Sequence, residues 1–299
     1  MKLRTNHILL LSFLLLTATV NAQNLNDLLA AESSDGPQPV EALFKATRVI
    51  NGHSVKQLKK GELDFRISHR FGQVNTGPYE FFGLDQSNIH LSLEYGLLDK
   101  LMVGVGRGTY EKTVDAFARY NITNQQSGKG AFPLTISYLS TIETVGLKWS
   151  DPTRTNYFTS RLSFTQQLLL ARKFSKLSVQ LMPTFVHRNL VPTVMDPNDL
   201  FALGVAGRFK IANRLAITGE YYYVLRPTPQ RTAEKYYNPL SLGFDIETGG
   251  HVFQIVLTNS QAMREGGFIG KTTSSWLNGG IHLGFNISRV FTLDSKTKK

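Results

Sequence analysis

Between Glu62 and Phe71 the chain alternates strictly, with Leu63, Phe65, Ile67, His69 and Phe71 at odd positions and Glu62, Asp64, Arg66, Ser68 and Arg70 at even ones. Successive side chains of a strand point to opposite faces, so a period of two predicts a strand. A second strand sets Ile89, Leu91, Leu93 and Tyr95 against His90, Ser92, Glu94 and Gly96. After a turn at Leu98, Asp99 and Lys100, a third sets Leu101, Val103 and Val105 against Gly104, Gly106 and Gly108. One face is apolar and the other is charged or glycine. In a soluble sheet this means one face on a core and one in water; in a closed membrane barrel it means lipid outside and a polar lumen inside.

The alternation recurs along the chain. Val114, Ala116, Ala118 and Tyr120 oppose Asp115, Phe117 and Arg119, and later runs centre on Ile136, Phe164 (with Phe158 and Leu162), Leu181, Leu203, Ile217, Phe244, Ile255 and Phe285. The count is twelve strands of about ten residues, the length a tilted membrane strand needs. Connections after odd strands are mostly long (72–87, 142–157, 188–199, 227–238, 261–275), and those after even strands mostly short (98–100, 171–176, 211–214, 248–250), with 109–113 and 123–131 as exceptions. Aromatic residues such as Phe71, Tyr95, Tyr120, Tyr138, Phe185 and Tyr223 fall near strand ends. Loop asymmetry and aromatic girdles are features of outer-membrane barrels. The expected fold is all-β: a twelve-stranded antiparallel outer-membrane β-barrel with a short N-terminal extension.

The first residues address the compartment. Lys2 and Arg4 lie in a basic n-region, Ile8 to Val20 form an apolar run too short to span a bilayer, and Val20-Asn21-Ala22 is a small-residue cleavage site. Residues 1–22 therefore read as a signal peptide cleaved after Ala22, which in a two-membrane bacterium places the chain in the periplasm, the outer membrane or outside; together with the barrel pattern the expected location is the cell outer membrane. With Lys2 and Arg4 removed, the formal charge of +11 becomes 11 − 2 = +9. Cysteine is absent, so disulfides, thiolate metal sites and Cys nucleophiles are excluded. Residues 23–60 lack the strand pattern and are expected to be a periplasmic or lumenal, plug-like segment; 61–292 make the barrel and 293–299 a tail.

The stretches FKATRVINGHSVKQLKKGELDFRISHRFG and FFGLDQSNIHLSLEYGLLDKLMVGVGRG resemble the Bacteroidota outer-membrane β-barrels catalogued as a β-barrel domain of unknown function. The similarity covers nearly all of the mature chain and is densest from Phe44 to Lys112. It implies a barrel in the outer membrane and carries no catalytic residues.

The lumen face gathers Asp64, Arg66, Arg70, His90, Glu94, Asp115 and Arg119, as a solute site or as a charge network filling a narrow barrel. Arg66, Arg70, Glu94 and Arg119 are expected along one wall, because their strands are neighbours and their parities agree. Inward Gly96, Gly104, Gly106 and Gly108 suggest that another backbone approaches. Part of Phe44 to Lys60 is the candidate, with Arg48, Asn51 and His53 offered to Asp64, Glu94 and Asp115; the alternative is a mobile periplasmic tail. Ser68 and His69 point to opposite faces, and no GxSxG elbow occurs, so a hydrolase needs a serine from another strand. Gly104 to Gly108 lacks a full GxGxxG, and the histidines lack metal-ligand spacing, so no cofactor or metal is expected. Lys56, Lys59, Lys60, Arg172, Lys173, Lys176, Lys210, Arg214, Lys296, Lys298 and Lys299 form a basic rim open to a periplasmic partner; outer-membrane lipid is the expected surround, and nucleic acid is not expected. The leading function is a pore or transporter for a small or amphiphilic solute, without catalysis. The alternatives are a surface or lipid-acting hydrolase and a structural or partner-binding envelope protein.

Overall fold

The computed structural model describes residues 36–227, 232 and 234–293. The expected leader, residues 23–35 and most of the expected tail lie outside these. Packing divides the described chain into two units, a small one of 36–38 with 126–132 and the barrel of 39–125 with 133–293. In the small unit the Ser127 hydroxyl donates to the Gln38 carbonyl at 3.4 Å.

The barrel unit closes through twelve antiparallel strands. They are β1 (Glu62–Gln73), β2 (Ser87–Leu98), β3 (Leu101–Gly108), β4 (Val114–Thr123), β5 (Thr135–Thr144) and β6 (Leu162–Phe174). The second half is β7 (Leu177–Arg188), β8 (Asp199–Ala212), β9 (Leu215–Leu225), β10 (Leu240–Thr248), β11 (His251–Thr258) and β12 (His282–Thr292). Each strand pairs with its neighbours in sequence, and β12 pairs with β1 from His282↔Gln73 to Thr292↔Glu62. Closure removes the unpaired sheet edge that a membrane interior would penalise.

Parity decides which way each residue points. On β1, Asp64, Arg66, Ser68 and Arg70 are buried while Phe65 is exposed; on β2, His90, Ser92 and Glu94 are buried while Leu91 and Leu93 are exposed. Two local boundaries differ from the sequence reading. Phe158–Arg161 is a 3₁₀ turn, so β6 starts at Leu162, and β6 then runs to Phe174, leaving 175–176 as the turn. The aromatic–apolar spacing at Phe158 matched a strand, but no strand partner faces it.

The inward glycines divide by what they meet. A side chain at Gly96 would run into the Lys59 carbonyl, so there a second backbone does approach. Gly104 instead makes room for the Phe117 ring, Gly106 for His90 and Asp115, and Gly108 for His90. The expectation of a neighbouring backbone thus fails at these three, because large inward side chains on β2 and β4 fill the space.

Leu91, Leu181 and Phe244 are 45%, 46% and 47% exposed on the outward face near mid-strand. Arginine at any of the three should destabilise the barrel by about 2–4 kcal/mol in lipid. Equilibrium refolding into vesicles measures this, and a variant as stable as the parent would contradict the assigned outward face.

Candidate functional site

The lumen is filled from both ends. From the short-turn end, residues 40–60 enter as an irregular segment whose centre is a small hairpin. Arg48 and His53 form an isolated antiparallel bridge, Ser54 N–H donates to the Thr47 carbonyl at 2.9 Å, and Val49 N–H to the Gly52 carbonyl at 2.8 Å. The tip is Ile50 and Asn51. Most of its backbone groups have no ladder partner, and buried peptide groups without partners are costly.

The barrel wall supplies the partners through side chains. The Glu220 carboxylate (β9) accepts from the Asn51 and Gly52 N–H groups at 2.8 and 3.1 Å. Gln254 (β11) donates to the Val49 carbonyl at 2.7 Å, and Asn286 (β12) to the Ile50 carbonyl at 3.1 Å. Gln180 (β7) accepts from Val55 N–H at 2.9 Å and donates to the His53 carbonyl at 2.7 Å, so one amide reproduces both halves of a strand pairing. Arg119 (β4) donates to the carbonyls of Thr47, Ser54 and Lys56. Seven strands therefore hold the hairpin by hydrogen bonds: β1, β4, β7, β9, β10, β11 and β12, with Arg70 (β1) donating to Asn51 Oδ1 at 2.7 Å and Asn51 Nδ2 donating to Ser241 Oγ (β10) at 3.0 Å.

The second filler comes from the long-loop end. Connection 259–281 folds inward and carries a one-turn helix, Glu265–Gly270, all of whose residues are buried. Gly266 passes against the Glu143 carboxylate (β5), where a larger residue would clash. The two fillers meet at Arg48, whose Nη1 donates to Glu265 Oε1 at 3.0 Å and to the Asn51 carbonyl at 2.8 Å. Glu94 Oε1 lies 3.7 Å from Arg48 Nε, and His53 Nε2 lies 3.8 Å from Glu265 Oε1.

All seven lumen residues singled out from sequence are buried. Arg66 Nη2 donates to Gln254 Oε1 at 2.7 Å, and Asp64 accepts from the Thr47 hydroxyl at 3.4 Å. His90 Nε2 is 2.6 Å from Asp115 Oδ1, and Arg264 Nε is 3.1 Å from the same oxygen. The partners of the hairpin differ from those expected. Arg48 reaches Glu94 but chiefly Glu265, Asn51 engages Arg70, Glu220 and Ser241, and Asp115 is taken by His90 and Arg264. Glu220, Gln180, Gln254 and Asn286 belong to the inward parity set but have no charge cluster around them in sequence; Arg264 and Glu265 sit in a loop, where parity says nothing.

Not all of the inner wall is polar. On β6–β9 it carries Leu169, Met182, Val186, Leu200, Tyr222 and Val224, packed in one buried cluster with Phe44, Val49, Ile50 and Val55 of the hairpin segment and Phe268 and Ile269 of the loop helix. Leu58, Met102, Phe117 and Leu139 form a second, smaller cluster. A cavity of about 590 Å³ opens beside the inserted segment, lined by Leu43, Lys45, Lys56, Asn121 and Thr135 among others.

A serine from another strand does reach His69. Its Nε2 lies 2.9 Å from Ser87 Oγ on the outward face, with the ring stacked 4.8 Å from Phe285. Among the described residues His69 Nδ1 has no hydrogen-bond partner, whereas a catalytic base is oriented by a third group.

The chain is similar in outline to several solved barrels. It shares 10% identity with NanC porin, covering 77% of this chain and 98% of that one at a TM-score of 0.44. For KdgM porin the values are 10%, 77%, 99% and 0.44, and for the outer membrane protein Omp33 of Acinetobacter baumannii 5%, 78%, 99% and 0.41. No curated protein matches. The family model described as a membrane bound beta barrel domain (DUF5777) matches residues 44–291, most of the chain and both the hairpin segment and every strand, so the protein belongs to this family of membrane-bound β-barrels.

Proposed function

We propose that the protein is an outer-membrane channel without catalytic activity, held closed by its own N-terminal segment and its last long loop. In this reading the short turns face the periplasm, the long loops face outward, and lipid covers the exposed apolar face. The observation that carries it is the way the hairpin is held. A segment that served only as core would bury apolar side chains against apolar walls. This one does bury Phe44, Val49, Ile50 and Val55 against the apolar part of the wall, but it is also gripped by hydrogen bonds between wall side chains and its backbone, which water can replace one by one as it withdraws. The exposed basic groups at the short-turn end, Lys59 and Lys176 among them, would meet the periplasmic partner that moves it.

Deleting residues 24–58 should convert a nearly silent barrel into one with steady single-channel conductance in planar bilayers. An unchanged conductance in a correctly folded deletion variant would reject the proposal.

The meeting of the two fillers yields a second test. Arg48→Ala or Glu265→Ala leaves its partner buried without its main counter-charge, which destabilises the closed state by about 3–5 kcal/mol. Each variant should open frequently in the same recording. Groups in direct contact are not additive. The double variant should therefore open less often than the product of the two single effects. Purely multiplicative effects would mean that this contact does not hold the fillers together.

A further inference from the structure

We infer that the opened lumen binds a single-chain amphiphile with an oxygen-bearing, hydrogen-bond-accepting head group, its tail on the apolar patch of β6–β9 and its head on Arg70 and Arg119. The inference rests on the channel reading above and names the substrate class of that same lumen.

The first observation is the inner wall. The interior of a water-filled barrel is polar. Here Leu169, Met182, Leu200, Tyr222 and Val224 face inward together and are fully or almost fully buried. A channel for hydrophilic solutes has no use for this patch, which water would wet unfavourably once the hairpin leaves. A chain of methylenes gains by covering it.

The second observation is what covers it now. Phe44, Ile50, Val55 and Phe268 lie on the patch, so the fillers present apolar groups to the tail site. A few residues along the same segment, the Thr47, Ser54 and Lys56 carbonyls and the Asn51 side-chain oxygen present acceptors to Arg119 and Arg70. The inserted segment thus has the two-part chemistry of an amphiphile.

The third observation is the state of those arginines. Neither has a carboxylate within ion-pair distance among the described residues. Apart from the inserted segment, Arg119 keeps among the described residues only the Met102 sulfur as a hydrogen-bond partner. Arg70 keeps the His69, Phe285 and Asn286 oxygens on one nitrogen, but withdrawal frees its Nη2 and the donors of Arg119, and a carboxylate or phosphate oxygen meets that need. A quaternary ammonium head offers nothing to them.

The test uses block of the open current in the residue 24–58 deletion and, as a second way of opening, in full-length Arg48→Ala. Octanoate should block at a concentration at least tenfold below acetate and tenfold below octyltrimethylammonium. Arg119→Gln on the opened background should weaken block by acetate and octanoate alike, whereas Leu169→Asn should weaken octanoate block only. Val224→Asn replaces Leu169→Asn if the latter fails to assemble. Equal block by octanoate and acetate, or by octanoate and octyltrimethylammonium, overturns the inference while leaving the channel intact. So does an octanoate preference that survives both patch variants. If neither opened form conducts, the channel reading fails and this inference with it.

Discussion

Inside a closed barrel every polar group must find a partner from a short list, because the wall leaves little room for water and the ladder is already fully used between strands. The hairpin at Thr47 to Ser54 makes only a few internal backbone hydrogen bonds. The Asn51 and Gly52 amides and the Thr47, Val49, Ile50, His53 and Ser54 carbonyls are instead met by Glu220, Arg119, Gln254, Asn286 and Gln180, side chains of the inner wall. This requirement explains the composition of the inner wall better than any need to pair charges with charges. Arg66 and Arg70 are held largely by amide oxygens and backbone carbonyls, and so are not simply neutralised by acids. Neutral acceptors cost less to desolvate than carboxylates, so burying such a guanidinium against them is tolerable where several hydrogen bonds converge.

How much of this was legible in the sequence follows from the range of each interaction. Parity is local: Asp64, Arg66 and Arg70 lie two and four positions apart, and their burial could be read from Leu63, Phe65 and Ile67 between them. Strand order was equally accessible, since each strand pairs with its sequence neighbour. The partners of the hairpin were not. Asn51 and Glu220 are 169 positions apart, and Arg48 and Glu265 are 217 apart. Nothing in a two-residue period says which of several inward acids an inserted arginine will meet. The loop helix was invisible for a different reason. Glu265–Gly270 is short and rich in glycine, so propensity opposes a helix, and its burial between the walls decides the outcome. The three glycines of β3 show a further limit: an inward glycine signals that something approaches, but sequence does not tell a backbone from the ring of Phe117.

The Arg48–Glu265 contact has consequences beyond its own energy, because it joins elements that enter from opposite ends of the barrel. Any condition that favours withdrawal of the hairpin removes the main counter-charge of Glu265, and any that lifts the loop helix removes that of Arg48. Thermodynamic linkage makes the influence reciprocal. Around this contact, Arg264 ties the loop to Asp115 and His90 on the wall, and Lys271 ties its far end to Glu111, 2.8 Å away. The loop is therefore fastened to β2, β4 and the β3–β4 connection, while the hairpin segment is fastened to β7, β9, β10, β11 and β12 and also, through Arg70 and Arg119, to β1 and β4. The fillers share β4 as an anchor and meet through Arg48 and His53 at Glu265 and through Phe268 and Ile269 in the apolar cluster, so either one moves at the cost of all the contacts between them. A wall that grips its fillers through many replaceable side-chain bonds, with a buried ion pair and an apolar cluster joining the fillers to each other, combines a stable closed state with a zone at which both ends of the barrel sense each other.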